Sequence, residues 1–222
     1  MRTKLADRKL PNYSRGEEIF NMSSHIVGSI MGLVAITLCL RISAIHNNIY
    51  GIISSVIYGV SMILLYTISS LYHGLINETA KKVFQVLDHC TIYILIAGTY
   101  TPITLSAMRL ANTRLAWTLF CIEWGLALLA ITLTAIDIKK YQVFSMICYI
   151  AMGWGIIAFY SPAIQALTIS GFMMLLTGGI FYTIGAVLYA IGKKRKYMHN
   201  IFHVFVLIGS VFHLLCIVLY AL

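Results

Sequence analysis

His199 and His203 stand four residues apart at the start of the last apolar segment, directly after the basic run Lys193-Lys194-Arg195-Lys196. Four residues is about one helical turn, so both imidazoles leave the same face. Two nitrogen donors at that spacing form a chelating pair. An ionisable residue within an apolar span is by default a functional one. His73, closing an earlier apolar segment, and Asp88, early in the next, are further candidates. What they can do together depends on whether the chain brings them to one depth.

The elements that must position them are membrane helices. The chain has 222 residues, 60% hydrophobic and only 10% charged, with a mean hydropathy of +0.87. A soluble domain carries about 25% charged residues. Three prolines and no low-complexity stretch leave no room for a linker or second domain. The expected organisation is a cytoplasmic tail, residues 1–19, and one membrane domain, residues 20–222. The first apolar stretch has no small-residue cleavage site and reads as a retained helix.

A formal charge of +9 would suit nucleic acid in a soluble protein. Among apolar segments, basic residues instead set orientation and meet anionic headgroups, so no nucleic-acid partner is expected. Cys39, Cys90, Cys121, Cys148 and Cys216 lie within apolar stretches and form no CxxC. They read as small packing residues, not disulfides or thiolate ligands.

A span needs about 20 mostly apolar residues. Seven fit, at 20–42, 48–72, 84–107, 114–136, 141–160, 168–191 and 198–221. Charge or punctuation marks the joints: His46-Asn47-Asn48, Asn77-Glu78, Asn112-Thr113-Arg114, Lys139-Lys140, Ser161-Pro162 and the run from Lys193. Arg2, Lys4, Arg8, Lys9, Arg15, Lys81, Lys82, Lys139, Lys140 and that run fall on one side, against Arg41, Arg109 and Arg114 on the other. The positive-inside rule then gives a seven-transmembrane all-α bundle with a cytoplasmic N-terminus and an outside C-terminus. G-protein-coupled receptors have the opposite orientation.

On this layout the polar residues share a layer. The second span runs inward and ends near His73, with Ser69 one turn earlier on the same face. The third starts inside, and Asp88 lies six residues past Lys82, roughly 9 Å along a helix. The seventh also starts inside, with His199 and His203 shortly after Lys196. His25 is at a similar level. Three neutral imidazoles with an open position suit a catalytic zinc.

Plainer readings apply elsewhere. A lone membrane histidine such as His25, His89 or His213 usually hydrogen-bonds within the packing. His89 points about 100° away from Asp88 on a helix, His213 lies too deep, and His46 belongs to an external loop. Glu123, near the middle of the fourth span, fits no part of the scheme; it is either protonated and hydrogen-bonded or lines a polar cavity. Gly28 and Gly32 form a GxxxG that allows close helix approach, and Gly178, Gly179 and Gly185 line the sixth span. Gly98-Thr99-Tyr100-Thr101-Pro102 ends or kinks the third helix, because proline disfavours a helical residue before it.

Taken in order, several motifs resemble a family. They are Glu17-Glu18 with Asn21, Ser24-His25 and Gly28; Ser69-Ser70-Leu71-Tyr72-His73; Asp88-His89; Gly98 to Pro102; Ala151-Met152-Gly153-Trp154; Gly178-Gly179 with Tyr182; and His199 to His203 continuing to His213. The chain resembles, nearly end to end, the bacterial hemolysin III family within the progestin and adipoQ receptor superfamily, which includes the adiponectin receptors. The resemblance implies seven helices with an inside N-terminus. It also implies a zinc ion on His73, His199 and His203, Asp88 holding the zinc-bound water, and Ser69 one turn before the first ligand. His25 and His89 are candidates for the layer around the ligands. The short tail departs from the eukaryotic receptors, and no peptide-hormone partner is expected.

The leading expectation is a multi-pass protein of the bacterial inner membrane that uses Zn2+ to hydrolyse a lipid amide or ester in membrane lipid homeostasis. Asp88 would accept the water's proton and Ser69 would hydrogen-bond the developing oxyanion. Superfamily resemblance to alkaline ceramidases favours an amide. One alternative is a non-enzymatic sensor of membrane state whose zinc clamps the second and seventh helices. A pore-forming haemolysin is the other, and ranks lowest because a released cytolysin should convert between water and lipid.

Overall fold

In the computed structural model, residues 3, 5–192 and 195–222 are described. Arg2, Lys4, Lys193 and Lys194 of the expected basic side lie outside the described residues. Local capping fixes where the first helices begin. The Ser14 side chain accepts from the Glu17 N–H while Glu17 reaches back to Ser14, a capping box that opens α1, Arg15–Ile45. Asn48, Asn77 and Asn112 each accept from an N–H three residues on. These three caps open α2, Ile49–Gly74, α3, Glu78–Thr101, and α4, Thr113–Ile136. Next come α5, Gln142–Trp154, α6, Tyr160–Gly192, and α7, Met198–Cys216. Pro102–Met108 and Ile217–Ala221 continue α3 and α7 as π-helix. No strand occurs among the described residues.

Six helices are long and apolar enough to cross a membrane, where seven spans were expected. The expected fifth and sixth are one helical run, Gln142–Ile191, of 50 residues. The predicted joint at Ser161-Pro162 is helical. Its proline sits in the first turn of α6, directly after a 3-10 segment, Gly155–Phe159, where its missing N–H is tolerated. The interruption comes at Thr168 instead, with φ 61 and ψ 168. The Thr168 hydroxyl accepts from the Gly171 N–H at 3.5 Å and so caps the helical turn beyond it.

At 1.5 Å per residue, 50 residues would extend about 75 Å, more than twice the hydrocarbon core. Side-chain contacts explain how they fit. Before Thr168 the run lies along α3 and α4: Ser145 meets Thr134, Tyr149 donates to the His89 carbonyl, and the Ile156 N–H donates to Tyr100. After Thr168 it lies antiparallel to α7. Gly171 pairs with Cys216, Leu175 with His213 and Tyr182 with Ser210, and the Tyr189 ring packs on His199.

Bundle ends can be told apart by their contacts. At one, Asp137 accepts from the Thr3 N–H at 2.6 Å, Lys82 donates to the Ala6 carbonyl, and Glu17 accepts from the Tyr197 N–H. At the other, His46 donates to the Leu222 carbonyl, Asn48 donates to Ser106, and Arg109 stacks over Tyr50.

The helices are built inside out relative to a soluble protein. On α1, Glu17, Asn21, His25 and Gly28 are buried, while Ile26, Val27, Ile30 and Leu33 are exposed. Aliphatic side chains face the bilayer at no cost, and polar ones must find partners within the bundle. Gly28 is one of the places where α1 and α2 meet closely: a Cβ there would strike the Tyr66 ring.

Candidate metal centre

α2 delivers His73 from its last turn and α7 delivers His199 and His203 from its first two. Their ligand atoms all lie within 4.8 Å of one another. The Nε2 atom of His199 is 3.2 Å from that of His73 and 3.0 Å from that of His203. His73 and His203 are buried. A third donor from a different helix turns the weak HxxxH pair into a site.

Hydrogen bonds fix which nitrogen carries the proton. His73 donates from Nδ1 to Glu18 Oε2 at 2.6 Å, and Glu18 Oε1 is paired with Lys81 at 2.7 Å. Ser24 spends its own hydrogen on the Asn21 carbonyl at 2.9 Å, so its oxygen accepts from His203 Nδ1 at 3.3 Å. Both imidazoles are therefore protonated at Nδ1 and present bare Nε2 lone pairs to His199. His199 carries a single hydrogen when neutral, which cannot satisfy both neighbours. The converging lone pairs call for a shared cation. Three imidazole nitrogens, two of them held by an acceptor behind, could together hold a metal ion.

Aromatic groups close the centre. The His25 ring stacks on His203 with centroids 3.7 Å apart and presents its edge to Tyr66. Tyr13, just before α1, stacks on His199 at 4.9 Å. Burial first, and then the acidic groups Tyr189, Glu18 and Asp88 around it, hold the Tyr13 phenol well above its ordinary pKa. Asp88 thus stands in the same neighbourhood, although it is not one of the three-residue ligand group. Its carboxylate makes no hydrogen bond among the described residues, its nearest ionic neighbour being His89 at 4.0 Å. Ser69 is buried one turn before His73 and forms no hydrogen bond to it.

With that geometry in hand, comparison with known proteins is decisive. Residues 13–214 match the family model described as Haemolysin-III related. The chain belongs to this family. It is similar to Hemolysin-3 of Bacillus cereus, 39% identical over 93% of this chain and 92% of that protein. It is also similar to the Hemolysin-3 homolog of Bacillus subtilis (strain 168), 37% identical over 92% and 94%. More distantly it resembles the Monocyte to macrophage differentiation factor of Homo sapiens, at 24% identity over 89% of this chain and 81% of that one. The family resemblance read from the motifs is borne out. With its six spanning-length helices, this haemolysin-III related chain is a multi-pass bacterial membrane protein.

Some predicted residues lie elsewhere. His89 bonds the Gln85 carbonyl of its own helix at 2.8 Å. His213 bonds the Leu175 carbonyl, the packing role expected of it. Glu123 is buried beside Gly155 and Tyr100, with Oε2 unpartnered among the described residues. Sequence reasoning missed the roles of Glu18, Ser24 and Tyr13. The available signal was Glu18, seven residues before His25 and so on the same face of α1, with Ser24 on the neighbouring face.

Proposed function

We propose that His73, His199 and His203 hold a zinc ion, and that this centre hydrolyses an amide or ester of a membrane lipid. The observation that carries the reading is the convergence of ring nitrogens whose protons Glu18 and Ser24 have drawn to the far side of the rings. Zinc would supply Lewis acidity, polarising a carbonyl and making water a stronger acid. Asp88, whose carboxylate makes no hydrogen bond among the described residues, accepts a proton from attacking water. Ser69 offers its hydroxyl as a hydrogen-bond donor to the oxygen on which charge develops. Tyr13 and His25, stacked on the ligand rings, keep bulk water from the centre.

The same reading takes the bundle as seven crossings with the N-terminus and metal centre on the cytoplasmic side of the inner membrane. The reversal at Thr168 supports it, as does the grouping of Thr3, Asp137, Glu17 and Tyr197 at the end opposite Leu222. Lys81, Lys82, Lys139 and Lys140 fall at that first end, where positive charge belongs inside.

A second reading, with zinc as a structural clamp between α2 and α7 in a sensor of membrane state, draws on Asp88 standing outside the ligand group. Substitution separates the two. Asp88→Asn should keep stoichiometric zinc by metal analysis while abolishing release of fatty acid in a lipidomic screen. His203→Ala should lose both. If zinc-loaded wild type and His203→Ala give identical lipid profiles, hydrolysis is excluded; if Asp88→Asn retains full function, the clamp stands.

A further inference from the structure

Arg8 lies in the segment before α1 and is only 8% exposed. Its guanidinium makes no ion pair or hydrogen bond among the described residues, and Nε is sealed from solvent without a partner. Four acids at this end of the bundle are engaged. Glu18 pairs with Lys81, Glu78 pairs with Lys82, Asp137 accepts from the Thr3 N–H, and Glu17 accepts from the Tyr197 N–H. Asp7 is exposed. A permanently charged side chain that leaves water needs acceptors, and arginine's planar fork suits an oxyanion with two oxygens to offer.

Space on either side of Arg8 indicates where that anion comes from. One side is a groove of about 620 Å³, walled by Leu5, Val83, Val86, Leu87 and Ala135. Val83 and Leu87 are each 40% exposed on a helix long and apolar enough to span a membrane, so the groove opens toward lipid. On the other side is a hollow of about 730 Å³, lined by the chain from Ala6 to Asn12 with Glu78 and Lys82. A guanidinium that borders both an apolar groove and a polar hollow has the layout of an amphiphile: tail, charge, head.

We propose that Arg8 and this groove bind one anionic phospholipid. The phosphate diester sits on the Arg8 guanidinium and an acyl chain lies along Val83, Val86 and Leu87. The site is separate from the metal centre and does not rest on the reading given to it. Its role is to seat the N-terminal arm on α3 and α4 in a membrane that supplies anionic headgroups.

Native mass spectrometry of the detergent-solubilised full chain tests this. Phosphatidylglycerol, phosphatidylcholine with the same chains, and inorganic phosphate are titrated in turn, and melting temperatures check folding. Wild type should retain one phosphatidylglycerol in preference to phosphatidylcholine, and inorganic phosphate should not displace it. Arg8→Gln should weaken retention about tenfold or more, the loss of a charge-assisted contact. Arg8→Lys should fall between the two, and Val86→Trp should weaken retention with the cation intact. These last two variants carry the test if Arg8→Gln does not fold. Wild-type retention by both Arg8→Gln and Val86→Trp would overturn the proposal, as would equal binding of phosphatidylcholine. Displacement by inorganic phosphate would overturn it as well, reducing the site to a free-anion site.

Discussion

At the residue scale, a proton position decides what the histidines can do. An Nδ1–H on His73 frees Nε2, and it stays on Nδ1 because Glu18 takes that hydrogen bond while Lys81 neutralises the carboxylate behind it. Removing such a supporting acceptor costs metal affinity rather than the fold. Glu18→Ala should therefore weaken zinc binding by about 10–100-fold in a chelator competition, with the melting temperature of the metal-free protein little changed. Ser24→Ala should act in the same direction but less, because a neutral acceptor at 3.3 Å is replaced. An unchanged zinc affinity in Glu18→Ala would remove the tautomer argument.

At the scale of elements, two backbone positions carry the architecture. Thr168 holds φ 61, where a β-branched residue is strained, yet its hydroxyl caps the next helical turn. Thr168→Gly relieves the strain and loses only the cap, so it should be at least as stable as wild type in a thermal melt. Thr168→Val keeps the strain and loses the cap, and should be less stable by about 1–2 kcal/mol. The reverse order would mean that the turn is not held as described. Gly28 fixes the approach of α1 to α2. Gly28→Val would drive methyl groups into Tyr66, whose hydroxyl bonds Ser210 at 2.5 Å, and should cost roughly 1–3 kcal/mol. Because the His25 ring rests on Tyr66 and His203, the same change should also lower zinc content per folded protein.

At the scale of the molecule, the N-terminal arm ties the bundle's basic end together. Backbone N–H groups, first that of Thr3 and then that of Lys140, hold the Asp137 carboxyl down to about 2 from its ordinary 3.8. A carboxyl whose folded value is depressed adds stability that is fully present above its unfolded value and lost as pH falls through the folded one. Arm docking should therefore hold above about pH 4 and loosen as pH falls toward 2. Protection of the arm from an acid-active protease would report this directly. Asp137→Asn should expose the arm at neutral pH too; a protected arm in that variant would show the tether to be incidental. Thiol-reagent access to single cysteines at the two ends, in intact cells, checks the proposed orientation. The end carrying Thr3 should be shielded and the end carrying Leu222 open.

Much of the site was legible because its residues are expensive where they stand. Histidines and an aspartate in apolar spans can be ranked by depth simply by counting along each helix, and that count brought His73 to His199 and His203. Three of the joints read from the sequence coincide with helix starts, since Asn48, Asn77 and Asn112 cap locally, whereas the Ser14 capping box went unread and α1 begins before the apolar stretch. The turn at Thr168 was legible only as the start of the sixth span, 168–191; its joint was placed at Ser161-Pro162 because a proline in a first helical turn looks like a joint in sequence and is none in three dimensions. The sequence by itself determined the membrane class and the family and singled out His73, His199 and His203, because residue type and depth along each helix can be read by counting. Only the tertiary structure decided which groups stand behind and above those histidines. Glu18, Ser24 and Tyr13 reach the histidines across helix interfaces, and rotation about a helix axis is set by packing that no one-dimensional count contains.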